Sequence, residues 1–344
     1  MKALKIIAVL GLGLLLAQPA QAGVRKSGLT GAAFLKIGVG ARPVALGSAY
    51  TTVTGDVHQL FWNPAGIALD GGESQVLLSH NSWIADLSHQ ALGFTRDMGD
   101  MGTLGIGVVT LGLSDIAADR DVVPQFVLDA GTFNPNDTAS SGSYSYRDLA
   151  LGVSWGRNIT DRLNMGVTGK IITQSIDGVG ATAFAADFGA IYRINSTYSL
   201  GARINNLGSD LTFYDIGAPL PLIFSIGAAA VVVNDPDSGM AVTVLADATK
   251  PQDAEQLLYT AVEAQLFNML KLRSGYKLNY QSIEDDKVDE VSGAVVGADR
   301  TEEGLTAGLG LDFGMAGYNA TVDYAFTSFG ILDSVHQFSL QFRF

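Results

Sequence analysis

The chain has no cysteine among its 344 residues. That excludes a disulfide framework and any thiolate metal site or thiol nucleophile. Charge is scarce: Asp, Glu, Lys and Arg make up 16% of the sequence, where a soluble domain carries nearer a quarter. The charge that exists is mostly acidic, with 34 acids against 21 bases. Such a chain is a poor partner for nucleic acid. Histidine is rare as well. His58, His80, His89 and His336 show no H-x-x-x-H or other metal spacing. No G-x-S-x-G is present, and the G-x-G pairs at Gly105 and Gly308 lie in alternating segments rather than at a strand-to-helix turn. The reading is therefore of a protein without catalytic residues, metal or cofactor.

Beyond residue 22 there is no run of about 18 apolar residues that would make a membrane helix. The one long apolar run is Ile6 to Leu16. It follows Lys2 and Lys5 and precedes Ala20-Gln21-Ala22, the layout of a secretory signal peptide with cleavage after Ala22. A membrane anchor is the alternative. Removing Lys2 and Lys5 leaves 19 bases against 34 acids, a net charge of −15. Yet 47% of the residues are hydrophobic and the mean hydropathy is +0.25. An apolar exported chain without membrane helices has one other way to satisfy its backbone in lipid, which is to close a sheet on itself.

What is present fits that solution. The C-terminal stretch VHQFSLQFRF alternates Phe338, Leu340, Phe342 and Phe344 with polar residues up to the last position. It resembles the terminal strand by which bacterial outer-membrane barrels are recognised for insertion; the last strand of a soluble sandwich is the rival. Tyr318–Phe326 and Leu270–Tyr280 alternate in the same way, with charges confined to one face. Fourteen strands are expected, near 74–84, 88–95, 103–113, 145–156, 163–175, 183–193, 199–206, 221–233, 240–249, 255–266, 269–279, 303–313, 318–328 and 335–344. Short connectors alternate with longer ones, notably 114–144, 207–220 and 280–302, as periplasmic turns alternate with outer loops. The expected fold is all-β: a barrel of about fourteen antiparallel strands over 73–344. It lies in the bacterial outer membrane, in contact with lipid and lipopolysaccharide and dependent on the barrel-assembly machinery.

Inward-facing charges of both signs are expected at Asp148, Lys170, Asp187, Arg203, Asp247, Glu263, Lys271, Arg273, Lys277, Asp323 and Arg343. Mixed signs point to a paired network rather than the single-sign ring of a selective pore. His80 and His89 flank the first outer connector and read as solvated surface. The acidic run Glu284–Asp286 with Asp289 and Glu290 lacks the order of a calcium loop and reads as a solvated loop.

Residues 23–72 do not alternate. Pro43 is placed to start a helix reaching Tyr50, and Asp56 to cap a second over Val57–Trp62, which Asn63-Pro64 ends. A barrel of fourteen strands encloses more space than its own side chains fill. This apolar segment is expected to pack inside as a mostly helical or irregular plug; a cap over one mouth is the alternative.

The blocks Gly38–Tyr50 (GVGARPVALGSAY) and Phe61–Gly66 (FWNPAG), with Asn205–Gly208 (NNLG) and Leu220–Gly227 (LPLIFSIG), resemble the PorV/PorQ family of FadL-like barrels. The resemblance implies a fourteen-stranded barrel, with Asn63, Pro64, Ala65 and Gly66 in a lumenal hatch. It also implies association with type IX secretion, as a cargo shuttle or attachment accessory meeting the translocon or cargo C-terminal domains. The alternative within the same superfamily is a FadL-like channel for passive uptake of hydrophobic small molecules; a barrel enzyme ranks last. Phe126, Leu128 and Phe133 in the longest connector are the candidate partner-binding residues, with an inward lumen cap as their other reading.

Overall fold

In the computed structural model the described residues are 28–69, 73–117, 143–254, 256–278, 304–315, 318–329 and 334–344. The expected signal peptide, the partner-loop residues Phe126, Leu128 and Phe133, and the acidic run 284–290 lie outside them. No helix among the described residues is long and apolar enough to cross a membrane.

Alternation of side chains turns directly into a closed wall. The strands are β1 (Ser74–Ser82), β2 (Ser88–Asp97), β3 (Thr103–Ala117), β4 (Ser143–Thr160), β5 (Leu163–Ile176), β6 (Val179–Arg193), β7 (Tyr198–Gly208), β8 (Leu211–Phe213), β9 (Ile216–Ala218), β10 (Ile223–Asp235), β11 (Met240–Pro251), β12 (Leu257–Leu266), β13 (Leu270–Leu278), β14 (Leu305–Met315), β15 (Tyr318–Ser328) and β16 (Ser334–Arg343). Fourteen of them form one closed antiparallel barrel in sequential order, with β8 and β9 set apart as a small hairpin between β7 and β10. The barrel closes by pairing β1 with β16, from Gln75 opposite Arg343 to Ser82 opposite His336. Closure leaves no open strand in the barrel, and along the paired register each wall strand bonds to both neighbours.

The two faces of the wall differ in chemistry. Phe184, Phe188, Leu309, Tyr318, Phe338 and Phe344 are among the large apolar side chains that point outward and are exposed. In β16, Gln337, Ser339 and Gln341 point inward and are buried. A sheet that shows its oily face outward and buries its polar face suits lipid outside and a polar interior.

Several local expectations are revised. The helix expected from Pro43 to Tyr50 is only α1 (Ala41–Ala45), because Gly47 and Ser48 take positive φ of 58° and 70°. The second expected helix is a 3-10 turn, Val57–Leu60, followed by another at Pro64–Ile67. The strand expected to end at 156 continues to Thr160 through a bulge at Asn158/Thr160. β6 begins at 179 rather than 183. It joins β5 through Asp177 (φ 47°) and Gly178 (φ 80°), so this connector on the long-loop side is a tight two-residue turn of the kind hairpins prefer. The connector expected at 207–220 contains the β8–β9 hairpin.

Candidate functional site

Residues of the described N-terminal stretch, 28–69, bond to wall and connector residues at both ends of the barrel and between them. At the long-loop end, Gly31 donates its N–H to the Pro219 carbonyl (2.9 Å). There Thr30 and Lys36 both reach Asp253, at 2.7 and 2.6 Å. Midway, Ala41 donates to Ser339 Oγ (2.7 Å), and Thr306 Oγ1 donates to the Ala45 carbonyl (3.0 Å). At the short-turn end, Leu69 donates to Thr103 Oγ1 (2.9 Å), and β1 begins a few residues later.

One side of the wall holds the segment by charge. Arg42 grips Glu263 with both ends of its guanidinium, Nε to Oε2 at 2.9 Å and Nη2 to Oε1 at 2.7 Å. This two-point geometry is the strong form of a charge-assisted bond. Arg273 shares Glu263 (2.6 Å) and also donates to Asp323 (2.6 Å). Arg42 also meets Asp56, which accepts from Tyr50 Oη (2.8 Å) and contacts His58 Nδ1 (2.6 Å). Burial alone would raise the Asp56 carboxyl; His58 and Arg42 outweigh it and hold the group well below the ordinary carboxylate range. Asp247 accepts the backbone N–H groups of Tyr50 and Thr51, at 2.8 and 2.9 Å.

The Asn-Pro-Ala-Gly turn is seated by hydrogen bonds and by missing side chains. Asn63 is fully buried. Its Oδ1 accepts from Ala65 N–H (3.1 Å) and caps the turn, while Nδ2 donates to the Thr51 carbonyl (2.6 Å). Pro64 fits the first helical position, where no N–H is needed. Arg203 lies over the Trp62 ring, 5.2 Å from its centre. Arg203 and Asn205 also donate to the Trp62 carbonyl, at 3.2 and 2.9 Å. The facing strands carry glycine where the turn arrives. A Cβ on Gly189 would lie 1.8 Å from Asn63 Oδ1, and one on Gly166 would lie 2.3 Å from the Pro64 carbonyl. Glycine leaves room at both positions, for the Asn63 side chain at Gly189 and for the Pro64 backbone at Gly166.

Part of the interior on β2–β6 is apolar. Near the long-loop end, Val109, Leu111, Ala150, Ile172 and Ala183 of β3–β6 cluster with Phe34, Val39, Leu211 and Leu220. Asp148 borders this cluster, bonded to Tyr146 and to Gln174 Nε2 (2.9 Å). His89 corrects one expectation. It sits within β2 and points inward, buried, opposite Leu111, while His80 lies within β1 on its outward, exposed face. The alternation of β2 sets this, since Ala91 and His89 share its inward face.

The remaining sequence candidates fall into place around these features. Glu263, Arg273 and Asp323 meet in one cluster. Lys170 pairs with Asp187 (2.6 Å), and Lys271 with Asp312 (2.7 Å). Lys277 is buried on the inward face of β13. Arg343 lies at the short-turn mouth, 3.6 Å from Glu73. Phe338, Leu340 and Phe342 share the outward face of β16, and Phe344, just beyond it, is exposed. Arg42, Tyr50 and His58 were not singled out as charge partners. The available signal was that Arg42 and Asp56 are the only Arg, Lys, Asp or Glu residues between 37 and 69.

No protein-family profile matches the chain. No curated protein matches it either. Solved structures do. The Pseudomonas putida toluene transporter TodX aligns at a TM-score of 0.54 and 15% identity, over 89% of this chain and 97% of that one. The Ralstonia pickettii toluene transporter TbuX gives 0.53 and 13%, over 89% and 97%. A Pseudomonas aeruginosa FadL homologue gives 0.50 and 11%, over 86% and 95%. The fold is that of the FadL-type barrels. At these identities the likeness concerns the fold alone.

Proposed function

We propose that this chain is an outer-membrane passage for small hydrophobic molecules, closed at rest by its own N-terminal segment acting as a plug. The observation that carries the reading is the apolar cluster on the lumen side of β3–β6. The patch of Val109, Leu111, Ile172 and Ala183 on the lumen side packs against Phe34 and Val39 of the segment, and its apolar chemistry suits a hydrocarbon in their place. The barrels it resembles in fold include toluene transporters, which supports the same reading. Next to this cluster β7 ends at Gly208, and beyond it β6 is met by the backbone of Ser209, which donates to the Phe184 carbonyl (2.9 Å). That interruption is where a solute would leave the lumen through the wall.

The type IX reading rests on the resemblance of the sequence blocks. Co-purification of cargo C-terminal domains with the native protein would favour it over the channel. The channel is tested by uptake of labelled toluene into lipopolysaccharide-rich outer-membrane vesicles. Wild-type protein should raise uptake clearly above barrel-free vesicles. The double variant Leu111→Asn, Ile172→Asn, at equal inserted levels, should lower that gain by about tenfold, since each change places an amide in an apolar site. Wild-type uptake no greater than in barrel-free vesicles would overturn the channel.

A further inference from the structure

A cavity of about 210 Å³ lies at the short-turn mouth, between the end of the N-terminal segment and the wall. Arg343 of β16 reaches it from one side, and Asn158, Asn164 and Arg193 of β4–β6 from the other. The chain as a whole is strongly acidic, yet this cavity holds two guanidinium groups and one carboxylate, Glu73. Glu73 stands 3.6 Å from Arg343 Nε, beyond hydrogen-bond length. Nε of Arg193 is buried and has no hydrogen-bond partner among the described residues. Asn164 is 2% exposed, and its Oδ1 is likewise unpartnered. Buried polar groups in folded proteins are almost always bonded, so unmet groups around one cavity point to a missing occupant. An amide turned end for end places its N–H₂ where its oxygen was at little cost, so Asn164 can donate into the cavity as readily as accept.

We propose that this mouth is a binding site for a small oxyanion, a carboxylate or a phosphate, held between Arg193 and Arg343 with Asn164 as a further donor. Guanidinium groups suit such planar or tetrahedral acceptors because their N–H donors form a fixed fork. The site is independent of the channel reading, because it lies at the opposite end of the barrel from the apolar cluster.

The test is calorimetric titration of the detergent-purified full chain at low salt, with benzoate and with inorganic phosphate in separate arms. The arm that saturates identifies the source of the anion. We expect saturable 1:1 binding in at least one arm, weakened about tenfold or more by Arg193→Gln and by Arg343→Gln. Arg193→Lys should restore part of the loss, and Arg147→Gln, at an exposed position near the other end, should change nothing. Heat-modifiable gel mobility verifies that each variant is folded. If Arg193→Gln fails to fold, loss of binding at raised ionic strength in the wild type and in Arg343→Gln carries the same decision. Absence of saturable binding in both arms, or binding unchanged in both glutamine variants, overturns the proposal.

Discussion

The interior of this barrel is lined in two ways. On β10–β16 the inward residues include the charged and amide-bearing Asp247, Glu263, Arg273, Asp323 and Gln337, buried or nearly so, beside an apolar group of Leu245, Leu257, Tyr259 and Ala261. On the long-loop half of β2–β6 Ala91, Val109, Leu111, Ile172 and Ala183 form an apolar cluster, with His89 and Asp148 beside it. The N-terminal segment matches both linings. It presents Arg42 and the backbone N–H groups of Tyr50 and Thr51 toward the first, and Phe34 and Val39 toward the second. The difference sets directional contacts against non-directional ones. Charge pairs fix a segment in one geometry, because breaking a buried pair strands its partners. Apolar contacts are non-directional and can be exchanged for a solute of similar chemistry.

The largest effect should come from breaking the charged side. Glu263→Ala leaves Arg42 without its two-point partner and removes one of the two carboxylates of Arg273. Removing one member of a buried pair costs about 3–5 kcal/mol. The variant should show a lowered midpoint in heat-modification gels and ion current in planar bilayers. An unchanged midpoint with no current would mean that the charged side does not hold the segment.

Next comes the glycine seat. Gly189→Ala forces a methyl group against Asn63, and overpacking of this kind costs about 1–3 kcal/mol. Gly169→Ala, where nothing lies within 4 Å of the added carbon, is the matched control. Equal midpoints for the two variants would contradict the account of the seat.

This seat also shows where the sequence could be read and where it could not. The fourteen wall strands were legible because alternation is local: Phe338, Leu340 and Phe342 declare their face within five residues. The β8–β9 hairpin was not, since strands of three residues are too short to establish a period. Strand glycines looked like a general licence for curvature. Only when the segment is in place do Gly166 and Gly189 become the surface that receives Asn63-Pro64. The grip of Arg42 on Glu263 joins residues 221 positions apart, so no local pattern announces it. His89 was judged by its nearness to a connector, whereas the strand phase decides where it points.

A milder change on the apolar side should do less. Ile172→Val removes one methylene from a fully buried position and costs about 0.5–1.5 kcal/mol. Bilayers should stay as silent as with wild type. Current comparable to that of Glu263→Ala would erase the distinction between the two sides.

The smallest expected effect is that of moderate acid. Asp56 is held well below its ordinary range, since its pairing with His58 and Arg42 outweighs its burial. Asp253 is also lowered, the hydrogen bonds from Lys36 and Thr30 overcoming its burial. A carboxyl with a lowered folded value stabilises above its unfolded value, about pH 4, and loses that contribution only as the pH falls through the lower one. The heat-modification midpoint should therefore change little between pH 8 and pH 5 on account of these groups. A steep fall within that range would show that neither carboxylate is held as described.

The central claim is that the N-terminal segment closes the lumen. It is met most directly by planar-bilayer conductance of the intact barrel beside a barrel lacking residues 23–72 with the leader retained. The account predicts a silent intact protein and steady ion current through the shortened one at equal inserted amounts. An inserted shortened barrel that stays silent, or an intact barrel that conducts as well as the shortened one, would contradict it.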